Sequence, residues 1–360
     1  MNITRRRLIG LGITGAALTA AGVTLIGCAE VPKFDELDWV NTINSTDREL
    51  LYAPHRNKDG TYFNPWLLRQ KKITFFGSLR YFLFAEEYKP EFSETGLTNV
   101  DNSYKYLRDS EDFSISFAGH ASFIIKMDKS AIFIDPFFSD SAFLMKKKVI
   151  IDFDFNNVPD KPIVLITHNH YDHLDSYSVK ELAKKNAIFI VPQGVGNTIL
   201  EYGGKQIYEL DWWETLNING IVYTFLPAQH WSRRLGQSEN LSLWGGFLIT
   251  GSKNIYFSGD SGYFMGFKEF GELYSLDYAI VGAGAYIPRW MMHYSHTNIP
   301  EFFQAVHDLN AKVTIPMHFG VIQLGKEPIL YPLYEIKRRL NDEPETAQRV
   351  LPLRVGEYIV

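Results

Sequence analysis

The sequence predicts an α/β chain built as two β-sheets packed face to face with helices outside, a four-layer αββα sandwich. Three observations predict it. From Asp112 onward, short apolar or alternating runs of strand length recur between turn signals. Helix-patterned segments fall between and after them. Strands come first in each half of this region, the order that two packed sheets with outer helices require.

The elements follow in chain order. Arg5, Arg6 and Arg7 precede an apolar, Gly- and Ala-rich run from Leu8 to Gly27, which ends Leu25-Ile26-Gly27-Cys28. A basic segment, an apolar stretch and small residues before a cleavage point describe an export signal over residues 1–27. The paired arginines after Thr4 resemble a twin-arginine signal, and Leu-Ile-Gly-Cys resembles a bacterial lipobox. Together they predict an exported lipoprotein of the bacterial cell envelope, on the periplasmic side, with a lipid anchor on Cys28. An uncleaved membrane anchor is the alternative, because about 20 apolar residues span a bilayer. Cys28 is the single cysteine, so no intramolecular disulfide can form.

Residues 28–110 read as a tether and an aromatic-rich cover ahead of the main folded domain over residues 111–360. Within them, residues 29–60 are polar and lack periodicity. Tyr62-Phe63-Asn64-Pro65-Trp66 opens the aromatic part. The run from Ile73 to Phe84, flanked by Lys71 and Lys72 and containing Arg80, reads as a membrane-contacting segment or as a core-covering element. Beyond Asp112 the strand candidates are Phe113–Ala118, Phe123–Met127, Ala131–Ile134, Pro162–Thr167, Ile188–Val191, Val222–Leu226, Gly246–Thr250, Asn254–Ser258, Tyr278–Val281 and Val313–Pro316. Helix candidates are Asp175–Lys185, Phe267–Tyr274, Pro300–Leu309 and Leu333–Leu340.

Composition narrows the function. The chain is 46% hydrophobic and 21% charged with a net charge of −5, which suits a soluble globular domain and argues against nucleic acid as a partner. The 26 Phe, 20 Tyr and 7 Trp pack a core or line a lipid site.

The chemistry lies in Thr167-His168-Asn169-His170-Tyr171-Asp172-His173-Leu174-Asp175. Three imidazoles and a carboxylate stand within six positions, just past a buried strand. A loop there turns alternate side chains to one point, so His168 and His170 reach one metal while Asp172 and His173 reach a neighbour. Imidazole and carboxylate are the ligands that zinc and similar ions take at catalytic sites. Each ion needs about three protein donors and an open position. Three later segments offer one each just past a strand: His230 in Gln229-His230-Trp231, Asp260 in Gly259-Asp260-Ser261-Gly262, and His318 in Met317-His318-Phe319. Of the other histidines, His120 reads as a buried hydrogen-bonded residue or a brace for a ligand, and Tyr171 as substrate-facing or packed.

This motif, with His230, Asp260 and His318 in order, resembles the metallo-β-lactamase superfamily. Glu209–Glu214, Gln229-His230-Trp231, Gly259–Tyr263, Ala285–Trp290, Phe63–Trp66, Gly119–Ser122 and Asp135-Pro136 resemble, more closely, the N-acylphosphatidylethanolamine-hydrolysing phospholipase D family. The resemblance implies a first metal on His168, His170 and His230. It implies a second on Asp172, His173 and His318, with Asp260 bridging both. The expected cofactors are two divalent metal ions, zinc first, with manganese or iron as alternatives. Asp172, Asp260 and His296 are the implied catalytic residues, His296 orienting a phosphate, donating a proton or standing behind the ligands. Ile287 departs from the family pattern, where a more polar residue is expected, and so does the export signal. The expected function is phosphodiester hydrolysis of N-acylphosphatidylethanolamine-like membrane lipids, with phospholipid and membrane surface as partners. The alternatives are a lactonase, esterase or small-phosphodiester hydrolase on the same metals, and an envelope lipid-binding lipoprotein without turnover.

Overall fold

A computed structural model describes residues 34–67, 88, 90–92, 112–149 and 151–360. The chain divides into two compact units, one of Met1–Asp35 with Arg69–Glu87, the other of Glu36–Leu68 with Tyr88–Val360. All that follows concerns the second unit. The export signal, Cys28 and the run from Ile73 to Phe84 lie outside the described residues. No helix among the described residues is long and apolar enough to cross a membrane.

The elements are α1 (Glu36–Asn44), β1 (Phe113–Gly119), β2 (Ser122–Met127), β3 (Ser130–Ile134), β4 (Ser141–Ala142), β5 (Met145–Lys146) and β6 (Ile163–Leu165). Next come α2 (Ser176–Ala183), β7 (Ile188–Pro192), α3 (Gly196–Glu201), β8 (Gln206–Leu210), β9 (Thr215–Ile218), β10 (Ile221–Leu226), β11 (Gly246–Thr250), β12 (Asn254–Phe257) and α4 (Gly266–Leu273). The rest are β13 (Tyr278–Gly282), α5 (Arg289–Met292), α6 (Ile299–Leu309), β14 (Val313–Met317), α7 (Tyr331–Asp342), α8 (Pro344–Ala347) and β15 (Tyr358–Ile359). Among the described residues they form a seven-stranded sheet, β15-β1-β2-β3-β6-β7-β8, and a six-stranded sheet, β14-β13-β12-β11-β10-β9.

Alternation along the strands explains the layers. In β3 all five residues are buried. Phe133 joins Ile124, Val164, Phe189 and Val191 in a cluster against Leu174, Val179 and Leu182 of the α2 region and Ile199 of α3. Residues one step along face the other sheet, as Phe123 does, lying edge-on to Phe257 of β12 at 5.9 Å. On the far side of the six-stranded sheet Tyr256 meets Phe270 of α4. The predicted αββα sandwich is therefore what forms.

All ten expected strands and all four expected helices are present, with ends shifted by a few residues. Sequence pattern missed β8 and β9, whose residues are mostly exposed. An edge strand with one wet face carries no apolar run to mark it.

One expectation needs correction. Of the stretch read as a tether, residues 36–60 are folded onto the domain, and the start of the aromatic part, residues 61–67, packs with them. Trp39 and Ile43 of α1 are buried, and the Trp39 indole N–H donates to Glu301 of α6 at 3.1 Å. Trp66 is buried and stacks between Trp212 and Phe264. The apolar residues here are few and widely spaced, so no periodicity showed. Each is large, and burying one aromatic contributes about 1.5–3 kcal/mol.

Strand direction sets the site. β3 runs parallel to β6, β12 to β13 and β13 to β14, in the registers Ile132↔Ile163, Ile255↔Tyr278 and Tyr278↔Val313. Their C-terminal ends therefore open on one edge of the sandwich, where Asp135, His168, Asp260 and His318 follow.

Candidate metal centre

The seven expected ligands converge. His168 Nε2 lies 2.9 Å from His170 Nδ1, and His230 Nε2 lies 3.2 Å from the same atom. Asp172 Oδ2 is 3.4 Å from His173 Nε2 and 3.8 Å from His318 Nε2. Asp260 Oδ2 sits between the two groups, 3.0 Å from His318 Nε2, 3.2 Å from His173 Nε2, 3.8 Å from His230 Nε2 and 3.9 Å from His168 Nε2. His168–His170–His230 and His120–Asp172–His173–His318 are each compact enough to hold a cation.

The donors fit that use. His173 Nε2, His318 Nε2 and Asp260 Oδ1 are buried and have no hydrogen-bond partner, whereas buried polar atoms are otherwise almost always paired. Three imidazole nitrogens in one group, two imidazole nitrogens and a carboxylate oxygen in the other, and one aspartate shared between them form a donor set for borderline divalent ions.

Local structure presents these atoms. The loop after β6 turns so that Leu174 N–H reaches His170 O at 2.8 Å. Asp175 then caps α2, accepting from Tyr177 and Ser178 N–H. Arg234, buried, donates to Asn169 O and Leu174 O at 2.8 and 3.1 Å and clamps the loop. His120 (φ 59°), Asp135 (φ 43°) and His318 (φ 71°) adopt left-handed backbone. Such a conformation costs a non-glycine residue about 1–3 kcal/mol and persists at functional sites.

The ligands are themselves braced. Asp135, fully buried, accepts from His173 Nδ1–H at 2.7 Å, Thr167 Oγ1 at 2.6 Å and Thr167 N–H at 2.8 Å. This fixes the His173 tautomer with Nε2 facing Asp260. His120 Nε2–H donates to Asp172 Oδ2 at 2.8 Å, and His120 O accepts from His318 N–H. Of the two readings of His120, both hold: it is buried, hydrogen-bonded and braces a ligand. His230 Nδ1 faces Ser295 O at 3.1 Å. Asn64 donates to His230 O at 2.9 Å and Trp66 to Gln229 Oε1 at 3.0 Å. The folded N-terminal segment thus holds the His230 loop.

Electrostatics match. Burial and neighbouring imidazoles drive His168 and His230 well below the usual histidine range, and burial takes His170 and His120 to about 4. Burial works against Asp172 and Asp260 too, yet the charge of His173 holds both carboxyls ionised, well below their usual range. Against the same burial, Asp260 and Asp172 keep His318 up at about 9 and push His173 well up. A cation must displace those protons, so loading is favoured as pH rises.

His296 also joins the cluster, with Nδ1 4.0 Å from Asp260 Oδ2 and its ring stacked on His318 at 5.0 Å. Burial lowers it to about 3, so near neutral pH it is an uncharged imidazole. Arg289 does not reach out toward a headgroup. Its guanidinium donates to His296 O, Glu301 and Glu36 and holds the His296 turn. Trp212 and Trp213 do not join the cluster either: their indoles donate to Trp244 O and Leu51 O. Tyr171 packs, with Arg234 over its ring and Phe143 stacked against it. Sequence reasoning assigned no role to Asp135, Arg234, Asn64 or Trp66. Asp135 left a signal as a carboxylate directly after an apolar strand, and Asn64 and Trp66 stood only within a string of the family resemblance; Arg234 left none.

Replacing Asp135 with Asn should cut metal affinity and turnover by about 10- to 100-fold, the usual range for a residue behind a ligand. Asn cannot accept all three hydrogen bonds and leaves the His173 tautomer unfixed. Metal titration of the variant checks it, and wild-type affinity would remove Asp135 from this role.

The fold and these converging donors define a metal-dependent hydrolase of the metallo-β-lactamase type. A family model for the beta-lactamase superfamily domain matches residues 131–319, from β3 to the residue after His318, and the chain belongs to that superfamily. It is 35% identical over 219 residues to the mitochondrial N-acyl-phosphatidylethanolamine-hydrolyzing phospholipase D of Saccharomyces cerevisiae, a match over 56% of this chain and 46% of the yeast protein. The chain therefore spans less than half the length of that relative. It is 30% identical over 243 residues to N-acyl-phosphatidylethanolamine-hydrolyzing phospholipase D 1 of Caenorhabditis elegans, covering 62% of this chain and 68% of the nematode protein. Igni18, a metallo hydrolase from the archaeon Ignicoccus hospitalis, shares the fold with TM-score 0.52 at 23% identity, over 69% of this chain and 97% of that one.

Proposed function

We propose that the chain is a dinuclear phosphodiester hydrolase of phospholipase D type acting on N-acylphosphatidylethanolamine-like membrane lipids. The observation that carries the chemistry is Asp260 Oδ2 standing 3.0–3.9 Å from imidazoles of both groups. Support for the lipid comes from the two phospholipase D relatives. His168, His170 and His230 would hold one cation, Asp172, His173 and His318 the other, with Asp260 shared; zinc suits this set first, manganese or iron next. When bound, two such ions would supply an activated water near neutral pH and offset the charge that builds on phosphorus.

The chain's own residues do the rest. Asp260 fixes the spacing of the two ligand groups. Asp172, oriented by His120, keeps a carboxylate facing the attacking water and accepts its hydrogen bond. His296, held by Arg289 through its backbone, offers its ring N–H to a phosphate oxygen. His296→Ala should lower turnover about 10-fold with metal content unchanged. Equal turnover in the variant would leave His296 with no part in the reaction.

Export and lipidation at Cys28 belong to the same proposal and would hold the enzyme at a membrane. The decisive assay offers the metal-loaded chain N-acylphosphatidylethanolamine beside a lactone and a small phosphodiester. Release of phosphatidic acid supports the reading. Hydrolysis of only the lactone or small diester replaces the substrate, and two bound metals without hydrolysis of any of them favour a binding protein.

A further inference from the structure

The hairpin of β4 and β5 stands at the rim of the metal centre and is built unlike a turn made only for folding. Ser141 pairs with Lys146 and Ala142 with Met145, so Phe143-Leu144 is a two-residue turn. Such turns favour Asn-Gly, because their central residues take left-handed backbone. Here Phe143 carries that conformation, with φ 54°. Phe143 is 50% exposed, Leu144 82% and Met145 44%. An aromatic and a leucine have thus been set at a strained tip that leaves half of the one and most of the other in water.

The tip is anchored and aimed. Ala142 packs with Phe137 and Ile322, and Tyr171 and Leu324 lie against that cluster. Phe143 stacks on Tyr171 at 5.0 Å, the residue between His170 and Asp172. Tyr171 Oη accepts from Leu235 N–H at 3.1 Å, and the Leu235 side chain is 77% exposed. At the hairpin base Lys148 N–H donates to Val321 O, three residues past His318. Lys146, Lys148 and Arg233 are exposed within three positions of these apolar residues in the chain, with Asp140 and Glu239 the exposed acids of the same two segments. A protruding apolar tip collared by cations matches a bilayer surface carrying anionic lipid.

We infer that Phe143, Leu144 and Met145, with Leu235, form a tip that enters the headgroup–acyl boundary of an anionic bilayer and presents the mouth of the metal centre to lipid. The inference builds on the membrane-lipid reading of the same site, yet docking is measured without turnover.

The test uses the full chain as Cys28→Ser/Leu144→Cys, labelled at 144 with an environment-sensitive fluorophore. Phosphatidylcholine vesicles with and without phosphatidylglycerol are added. The expected result is a blue shift that is stronger with phosphatidylglycerol and weaker at high salt. Phe143→Asn/Met145→Ser, made in the labelled chain, should partition about 10-fold more weakly, from the lost apolar area. Lys146→Glu/Lys148→Glu should abolish the preference for phosphatidylglycerol. A fluorophore that stays in water, whether or not the chain binds vesicles, overturns the inference. Turnover of a soluble short-chain phosphodiester, measured alongside, judges the phospholipase reading separately.

Discussion

Asp260→Asn is expected to reduce turnover by about three orders of magnitude or more, about 4 kcal/mol of transition-state stabilisation. The substitution keeps the shape of the side chain and removes the charge that both ligand groups share. Asp260 Oδ2 is the atom that four imidazoles approach, two from each group, and an amide cannot serve two cations. Bound metal should fall with activity in elemental analysis. The metal-free variant gives a second signature. Asp260 is the leading attraction that keeps His173 and His318 protonated, so both should titrate at lower pH once its charge is gone. NMR titration of the imidazoles reads that directly. A variant with full turnover and unchanged metal would remove Asp260 from the centre of the mechanism.

Gly284→Ala is expected to damage the centre from outside it. Gly284 follows β13, and a Cβ there would stand 2.0 Å from His318 O and 2.9 Å from His318 C. Both contacts are backbone, and the segment is pinned by Ala283 N–H donating to Met317 O at 2.9 Å. His318 must move, and its backbone is already left-handed. Overpacking of this kind costs about 1–3 kcal/mol, and for a domain of this size each kcal/mol lowers Tm by about 2–4 °C. The diagnostic outcome is selective: the cation site using His318 should empty while the His168–His170–His230 site still binds. Wild-type loading of both sites would show that the loop yields without moving His318.

Much of this protein was legible one residue at a time. The αββα order followed from runs such as Ala131–Ile134 and Val222–Leu226, because a strand buried on one or both faces must be written in apolar residues. The metal centre followed from chemistry: three imidazoles and a carboxylate within six positions have few other uses. The missed elements lack that necessity. β8 and β9 face water and need no apolar run. Trp39 and Ile43 stood in polar surroundings, so residues 36–60 looked like a tether.

The sequence by itself determined the layered fold and the candidate ligand residues, since burial and metal coordination each demand particular residue types at short spacing. Tertiary structure alone decided which side chains stand behind those ligands. Asp135 meets His173 across 38 positions, His120 meets Asp172 across 52, and Asn64 meets the His230 backbone across 166. It also turned Arg289 inward to Glu301 and left Phe143 and Leu144 outside. Local patterns record what each residue must be buried in or bonded to, whereas these partners are chosen by parallel strands that bring distant chain segments to one edge of the sandwich.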